Sequence, residues 1–71
     1  MQLTDEEARR VRHDLRTPLT IVTGFAEVLA SDRAIADENR REYAARIQAA
    51  AEELRQMLDA LFEEHAAQPR R

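Results

Sequence analysis

The stretch HDLRTPLT, residues 13–20, groups the side chains of this sequence that have the most chemistry. His13 and Asp14 are adjacent, and Thr17 follows within about one helical turn, immediately before Pro18. A neutral imidazole is a nucleophile near pH 7, because histidine titrates close to neutrality. The residue types therefore indicate nucleophilic chemistry at His13, and the surrounding sequence has to supply the elements that position this side chain.

The composition argues against metal, nucleic-acid and membrane chemistry. The chain has no cysteine, and its two histidines, His13 and His65, are too far apart in sequence to suggest a local metal site. A net charge of -3 disfavours nucleic acid as a partner. No apolar run approaches the roughly 20 residues of a membrane span, and the start MQLTDEEARR lacks the apolar core of a signal peptide. We therefore expect a cytoplasmic segment without membrane contact.

A first helix is predicted for about residues 4–30. Hydrophobic residues form 44% of the chain, aromatic residues 4% and charged residues 35%, with a single glycine, which is typical of long helices. Thr4 and Glu7 can form a capping box at its start. The segment LTIVTGF is prone to form a strand, which leaves a short strand as the alternative. A heptad stripe continues in register on both sides of that segment and favours the helix: Ala8, Val11, Leu15, Pro18, Val22, Phe25 and Leu29.

A second helix is predicted for about residues 37–66, after a turn at about 31–36. Asp37 can cap it, and a short tail, 67–71, follows it. His65 is interpreted as a surface residue of the last turn. A second heptad stripe, whose tyrosine is interpreted as core, runs along this helix: Tyr43, Ile47, Ala50, Leu54, Met57 and Leu61.

The two stripes predict an all-α fold, an antiparallel helical hairpin that forms a single domain over residues 1–71. A hairpin alone covers only part of each stripe, and further apolar side chains widen the apolar faces beyond it: Ile21, Val28, Leu58 and Phe62. A chain this short without disulfides gains stability from a partner chain. We therefore predict a homodimer in which two hairpins form a four-helix bundle.

Pro18 lies on the predicted seam, in the middle of the first helix. Proline removes the hydrogen bond to the carbonyl of residue i-4, here Asp14, so a bend is expected next to His13. The alternative is that Thr17 caps a new helix with Pro18 at its first position. The stripe passes Pro18 without a phase change, which favours one bent helix, and this frame places His13 at an outward, exposed position.

Residues 13–19 resemble the H-box of the dimerisation and histidine-phosphotransfer domain of bacterial sensor histidine kinases. The pattern of that box is His, acid, Leu or Ile, Arg or Lys, Thr or Asn, Pro, Leu, and the sequence HDLRTPL matches every position. The resemblance covers nearly the whole chain, because the domain of that family is also a helical hairpin that dimerises into a four-helix bundle.

The resemblance implies a role for each residue of the box. His13 would be the phosphoacceptor, attacking phosphorus through Nε2, and Asp14 would hydrogen-bond the other ring nitrogen and take up its proton. Thr17 matches the position that orients a water for dephosphorylation of the response regulator, and Pro18 would supply a structural hinge. Arg16 occupies the basic position of the box and would contact a partner.

The resemblance also implies partners and cofactors outside this sequence. ATP and magnesium would belong to a separate kinase domain, acting in cis or in trans, because the Asn- and Gly-rich boxes of that domain are missing here. The segment alone should therefore not autophosphorylate. The acceptor of the phosphoryl group would be the receiver domain of a response regulator. Leu54 and Arg55 are expected level with His13, as part of the surface that contacts this regulator.

Several alternatives remain open from the sequence. Arg9, Arg10 and Arg12 either contact the approaching phosphates or form a solvated helix face paired with nearby acids. The hairpin is either a phosphotransfer module or a docking module that binds a regulator or kinase without being phosphorylated. A helical dimer with an accidental H-box is the third interpretation.

Overall fold

The structure, a computed structural model, describes residues 3–66 and the side chains up to residue 63. It contains two α-helices, α1 (Asp5–Ala30) and α2 (Asp37–Ala66). The described residues contain no strand, so the segment LTIVTGF is helical and its strand alternative is wrong. The predicted tail 67–71 and the predicted surface position of His65 lie outside what the structure describes.

The first helix begins at a complete capping box. The side chain of Thr4 accepts a hydrogen bond from the backbone N–H of Glu7 at 3.0 Å, and the Thr4 N–H donates to Glu7 Oε1 at 2.9 Å. Acidic residues occupy the first turn, where the helix dipole favours negative charge. A cap of this kind stabilises a helix by about 1 kcal/mol. The stretch that contains His13 therefore lies in a helix whose N-terminus is stabilised by a cap.

The link between the helices is short and begins in an extended conformation at Ser31. The Ser31 hydroxyl donates to the Val28 carbonyl at 2.7 Å and accepts from the Arg33 N–H at 3.3 Å, which closes the end of α1. At the start of α2, Asp37 is the first helical residue and pairs with Arg40 at 2.6 Å. The prediction that Asp37 caps α2 is therefore wrong by one position: the Ala36 carbonyl already accepts the Arg40 N–H.

The helices pack side by side in antiparallel orientation. Near the turn, the rings of Phe25 and Tyr43 are in contact, with centroids 5.2 Å apart. At the far end, Val11 and Leu15 share a groove with residues 57–61. The predicted helical hairpin is confirmed.

Every residue of the two predicted stripes is buried or half-buried, but the hairpin has no closed core. Among the described residues, only Pro18 and Ala50 fall in the buried class. The molecule measures 57 × 20 × 12 Å, so it is one helix thick. Within the part of the chain whose side chains are described, four large apolar side chains remain exposed: Leu19, Ile21, Leu58 and Phe62. The apolar surface is therefore covered on one side only, which is the physical basis for expecting a partner chain.

Ion pairs stabilise each helix separately. All the arginine–carboxylate pairs that the structure gives for the described residues join positions three or four apart on the same helix: Glu6–Arg10, Asp37–Arg40, Glu42–Arg46, Glu52–Arg55 and Arg55–Asp59. Pairs at this spacing contribute a few tenths of a kcal/mol each. Contact between α1 and α2 is carried by apolar side chains, with Arg46 additionally placed 6.0 Å from the Phe25 ring.

Candidate functional site

Pro18 lies inside α1, which runs without interruption from Asp5 to Ala30. A new helix beginning at Thr17 is therefore not formed, and that alternative is wrong. The proline ring is fully buried in the seam between the helices. Because proline has no N–H, the backbone of residue 18 cannot donate to the Asp14 carbonyl. The helix that carries His13 is thus anchored by Pro18 on the inside and lacks one backbone hydrogen bond beside the histidine.

The His13 side chain projects into solvent and is 83% exposed. Its Nδ1 atom lies 3.6 Å from Oδ1 of Asp14, whose side chain is 55% exposed. This distance exceeds that of a hydrogen bond but is short enough for direct electrostatic attraction. Nδ1 is the ring nitrogen nearest the carboxylate, which leaves Nε2 on the other edge of the ring open to an incoming group.

The His13–Asp14 pair can prepare the imidazole for nucleophilic attack. A carboxylate that accepts the proton of Nδ1 favours the tautomer in which Nε2 carries the lone pair. The same carboxylate can take up the Nδ1 proton when Nε2 becomes bonded, as a general base does. Both side chains are exposed, so rotation about their side-chain bonds can bring Nδ1 and the carboxylate closer together. The arrangement therefore supports nucleophilic attack by Nε2 with Asp14 as the proton acceptor.

Asp14 also lines a groove between the two helices, a position that was not predicted from the sequence. The groove has a volume of about 260 Å³ and an otherwise apolar lining: Val11, Leu15, Met57, Leu58, Ala60 and Leu61. One feature of the sequence indicated this position: Asp14 directly precedes Leu15, which lies on the predicted seam. Asp14 is thus a neighbour both of the exposed imidazole and of the apolar groove.

Other polar side chains surround His13 on the same side of α1. Thr17 and Arg16 follow it at the i+4 and i+3 positions and are exposed, so both lie one turn further along the helix. On the preceding turn, Arg9 and Arg10 line a shallow depression together with His13 and Glu6. The structure therefore brings Thr17 and Arg16 to the vicinity of His13, as the outward heptad position predicts.

Leu54 and Arg55 do not lie level with His13. The groove places residues 57–61 opposite residues 11–15, whereas Ile21 and Phe25 face residues 46–53. The level of His13 on α2 is therefore about one turn further from the link than Leu54. The physical reason lies in the non-helical link, which begins extended at Ser31 and carries the chain past the end of α1 before α2 begins. A residue outside a helix can advance the chain by up to about 3.3 Å, compared with about 1.5 Å for a helical one.

Arg55 is engaged by two acids of its own helix. Its guanidinium donates to Glu52 at 2.5 Å and to Asp59 at 2.7 Å. The hydrogen bond from Arg55 lowers the pKa of Glu52, and the bond to Glu52 together with the charge of Asp59 raises the pKa of Arg55. Leu54 is half-buried on the seam. A partner that contacts Arg55 would have to compete with both carboxylates.

The described residues give no sign of metal binding or of membrane insertion. Within residues 3–63, no three histidine or acidic side chains are grouped as metal ligands would be. Neither helix, as far as it is described, contains an apolar segment long enough to cross a bilayer.

Comparison with known proteins gives two matches. The family described as the His Kinase A (phospho-acceptor) domain matches residues 4–67. Among curated proteins, a sensor histidine kinase of Bacillus subtilis (strain 168), YcbM, is 37% identical over 51 residues. That alignment covers 72% of this chain but only 16% of the relative, so the chain spans a small part of that protein. No solved structure matches the chain.

Proposed function

Because the chain belongs to the His Kinase A (phospho-acceptor) domain family, we propose that its His13 is the residue that carries the phosphoryl group. In this proposal the hairpin is the dimerisation and phosphoacceptor module of a sensor histidine kinase. His13 accepts a phosphoryl group that originates from ATP and passes it to an aspartate of a response regulator. The observation that carries the assignment is the 83% exposed imidazole with Nδ1 turned towards Asp14.

The proposed first step is an in-line displacement at phosphorus. The lone pair of Nε2 forms the N–P bond while the bond from the γ-phosphorus to the bridging oxygen breaks, and ADP leaves. The proton on Nδ1 passes to the Asp14 carboxylate, so the phosphorylated ring is neutral. ATP and its magnesium ion are held by a separate kinase domain, which the exposed position of His13 on the outside of α1 leaves room to approach.

The second step returns the imidazole to its starting state. A carboxylate oxygen of the regulator aspartate attacks phosphorus, the N–P bond breaks, and the ring recovers its proton from Asp14. The kinase domain and the response regulator both approach Nε2, but at different times, so a single exposed edge of the His13 ring is sufficient. The exposure of the ring is what allows one side chain to serve two partner domains in turn.

A transfer assay tests this function. The chain is incubated with a histidine-kinase ATP-binding domain and γ-labelled ATP, and we expect acid-labile, base-stable label on the chain, which then moves to a receiver domain. The alternative function, a docking module, predicts binding of the same domains without label. A folded chain that binds the kinase domain but takes no label would therefore favour the docking module.

Thr17 is proposed to orient the water that dephosphorylates the regulator. We expect Thr17→Ala to leave His13 phosphorylation intact and to slow regulator dephosphorylation about tenfold or more, because positioning of a reacting water commonly contributes at least this much. The measurement is the decay of aspartyl phosphate on a receiver domain mixed with the chain. Thr20→Ala is the control, since it removes the same group from an exposed position two turns from His13. Equal decay rates with both variants would contradict the proposed role of Thr17 in orienting the water.

The homodimer is a further part of the proposal. Two hairpins packed through their apolar faces would cover Leu19, Ile21, Leu58 and Phe62, which one hairpin leaves exposed. We expect sedimentation equilibrium to give a mass close to twice 8.2 kDa at micromolar concentration. Helical content and dimer fraction should fall together on dilution, because a single hairpin lacks a closed core. A folded monomer at micromolar concentration would contradict the burial argument.

The remaining positions of the site are proposed as contacts and as a hinge. Arg16 would contact the phosphorylated partner, and Leu54 with Arg55 would belong to the surface that meets the response regulator. Pro18 would let α1 bend next to His13, since the Asp14 carbonyl lacks its helical donor. The family works within histidine kinases, and we propose that this segment acts on the cytoplasmic side.

A further inference from the structure

Two arginines share a surface depression with the histidine. The depression has a volume of about 340 Å³ and is lined by Glu6, Arg9, Arg10 and His13. Arg9 and Arg10 precede His13 by four and three residues, so they are its neighbours on the helix surface. Helical side chains lean towards the N-terminus of the helix, which tilts the imidazole over the turn that carries both arginines.

The structure separates these two arginines from the third one nearby. Arg12 directly precedes His13 in sequence but does not line the depression. A single step along a helix rotates the side chain by about 100°, so consecutive residues point in different directions. The three arginines therefore carry the same charge at similar sequence distances, but of the three only Arg9 and Arg10 line the depression together with His13.

The guanidinium groups of Arg9 and Arg10 are both available to a new anion. The contact of Arg10 with Glu6 is long, 3.8 Å, and both side chains are highly exposed. Arg9 makes no ion pair with any residue that the structure describes. Exposed pairs of this length contribute little, so a doubly charged oxygen anion at the same place competes successfully with Glu6.

We propose that Arg9 and Arg10 form a phosphate-binding pair that holds the phosphoryl group while it is bonded to Nε2 of His13. This inference rests on the proposed function of His13. A phosphoryl group adds up to two negative charges and three acceptor oxygens, which match the fork of N–H donors on a guanidinium. On phosphorylation, Arg10 would turn from Glu6 to the phosphoryl oxygens, and Arg9 would donate hydrogen bonds to the same oxygens.

The test uses a small phosphoryl donor, so it needs no kinase domain. In the reaction with phosphoramidate, Nε2 forms the N–P bond, the P–N bond of the donor breaks and ammonia leaves, and the Nδ1 proton passes to Asp14. The variants are Arg9→Gln, Arg10→Gln and the double variant. Arg12→Gln is the matched control, with the same loss of charge one residue from His13. Glutamine keeps a high helix propensity, and circular dichroism confirms that each variant is folded.

Two readouts follow the phosphoryl group. The first is the rate at which ³¹P NMR detects phosphohistidine, which we expect to fall about threefold to tenfold in the double variant, since two exposed charge contacts are lost. The second is the phosphoryl pKa from the pH dependence of the ³¹P shift. Nearby cations favour the dianion, so this pKa should rise by about half a unit when both arginines are replaced.

The outcomes separate this inference from the function on which it rests. The expected result is a change in both readouts for Arg9 and Arg10 variants and none for Arg12→Gln. Equal effects of all three substitutions would show a general charge effect and overturn the pair. Phosphohistidine that forms at His13 with unchanged rate and pKa in the double variant would overturn the pair and leave the proposed function standing. Label at any residue other than His13 would overturn both.

Discussion

Replacement of His13 by glutamine is expected to abolish phosphorylation of the chain while its helical content stays unchanged. The amide nitrogen of glutamine is not a nucleophile, so no N–P bond can form at this position. Glutamine is also a good helix former, and the side chain it replaces is 83% exposed and contributes little packing. Phosphorylation should therefore be lost completely, whereas the free energy of unfolding should hardly change.

The chain supplies its own control for this variant. His65 is its other histidine, and His65→Gln is expected to retain full labelling. The measurement is acid-labile, base-stable label after incubation with the ATP-binding domain of a histidine kinase and γ-labelled ATP. Label that survives in His13→Gln and disappears in His65→Gln would assign the acceptor to His65.

Replacement of Ala50 by glutamate is expected to unfold the hairpin. Ala50 is 4% exposed and lies between the helices, beside Ile21 and Phe25. A carboxylate there would be buried against apolar groups, and an uncompensated buried charge costs several kcal/mol. Small domains have a total free energy of unfolding of about 5–15 kcal/mol, and one with so little buried surface lies near the lower end.

Ala45→Glu is the matched comparison, because Ala45 is exposed on the same helix and the added charge stays in water. Circular dichroism at 222 nm during heating should show a cooperative transition for wild type and Ala45→Glu. For Ala50→Glu we expect little helix at room temperature and no cooperative transition. A melting temperature of Ala50→Glu within a few degrees of wild type would mean that the two helices do not pack at this point.

Most of the fold could be predicted because local signals and long-range packing agree. The capping box at Thr4 is a local pattern, and the structure shows both of its hydrogen bonds. The heptad stripes are set by the 3.6-residue period of the helix, and all their positions are buried or half-buried. The segment around Ile21 is prone to form a strand, yet it is helical, because its apolar residues continue the stripe.

The exposed position of His13 could be predicted for the same reason. Once Val11, Leu15 and Pro18 occupy the seam, helix geometry alone directs residue 13 outwards. The proximity of Asp14 follows from sequence, but its distance of 3.6 Å to Nδ1 depends on the side-chain rotamers of both residues. The sequence thus predicts which groups meet at the site, and the structure adds which ring nitrogen lies near the Asp14 carboxylate.

Which residues of α1 and α2 lie side by side in the hairpin could not be predicted. It depends on the path of residues 31–36, which are not helical and begin extended at Ser31, so helix geometry does not determine where α2 begins relative to the end of α1. The path of this link separates Leu54 and Arg55 from the level of His13. The contacts of Arg55 with Glu52 and Asp59 compete with other rotamers of a long, exposed side chain, so the sequence alone leaves them open.

The confinement of the arginine–carboxylate pairs to single helices has a mechanical consequence. Because none of the pairs given for the described residues joins α1 to α2, a small axial slip or rotation of one helix against the other breaks none of these pairs. Such a movement has to overcome the packing of apolar side chains, most of which are half-exposed, and the contact of Arg46 with the Phe25 ring. Added salt should therefore loosen the individual helices and leave the resistance to sliding almost unchanged.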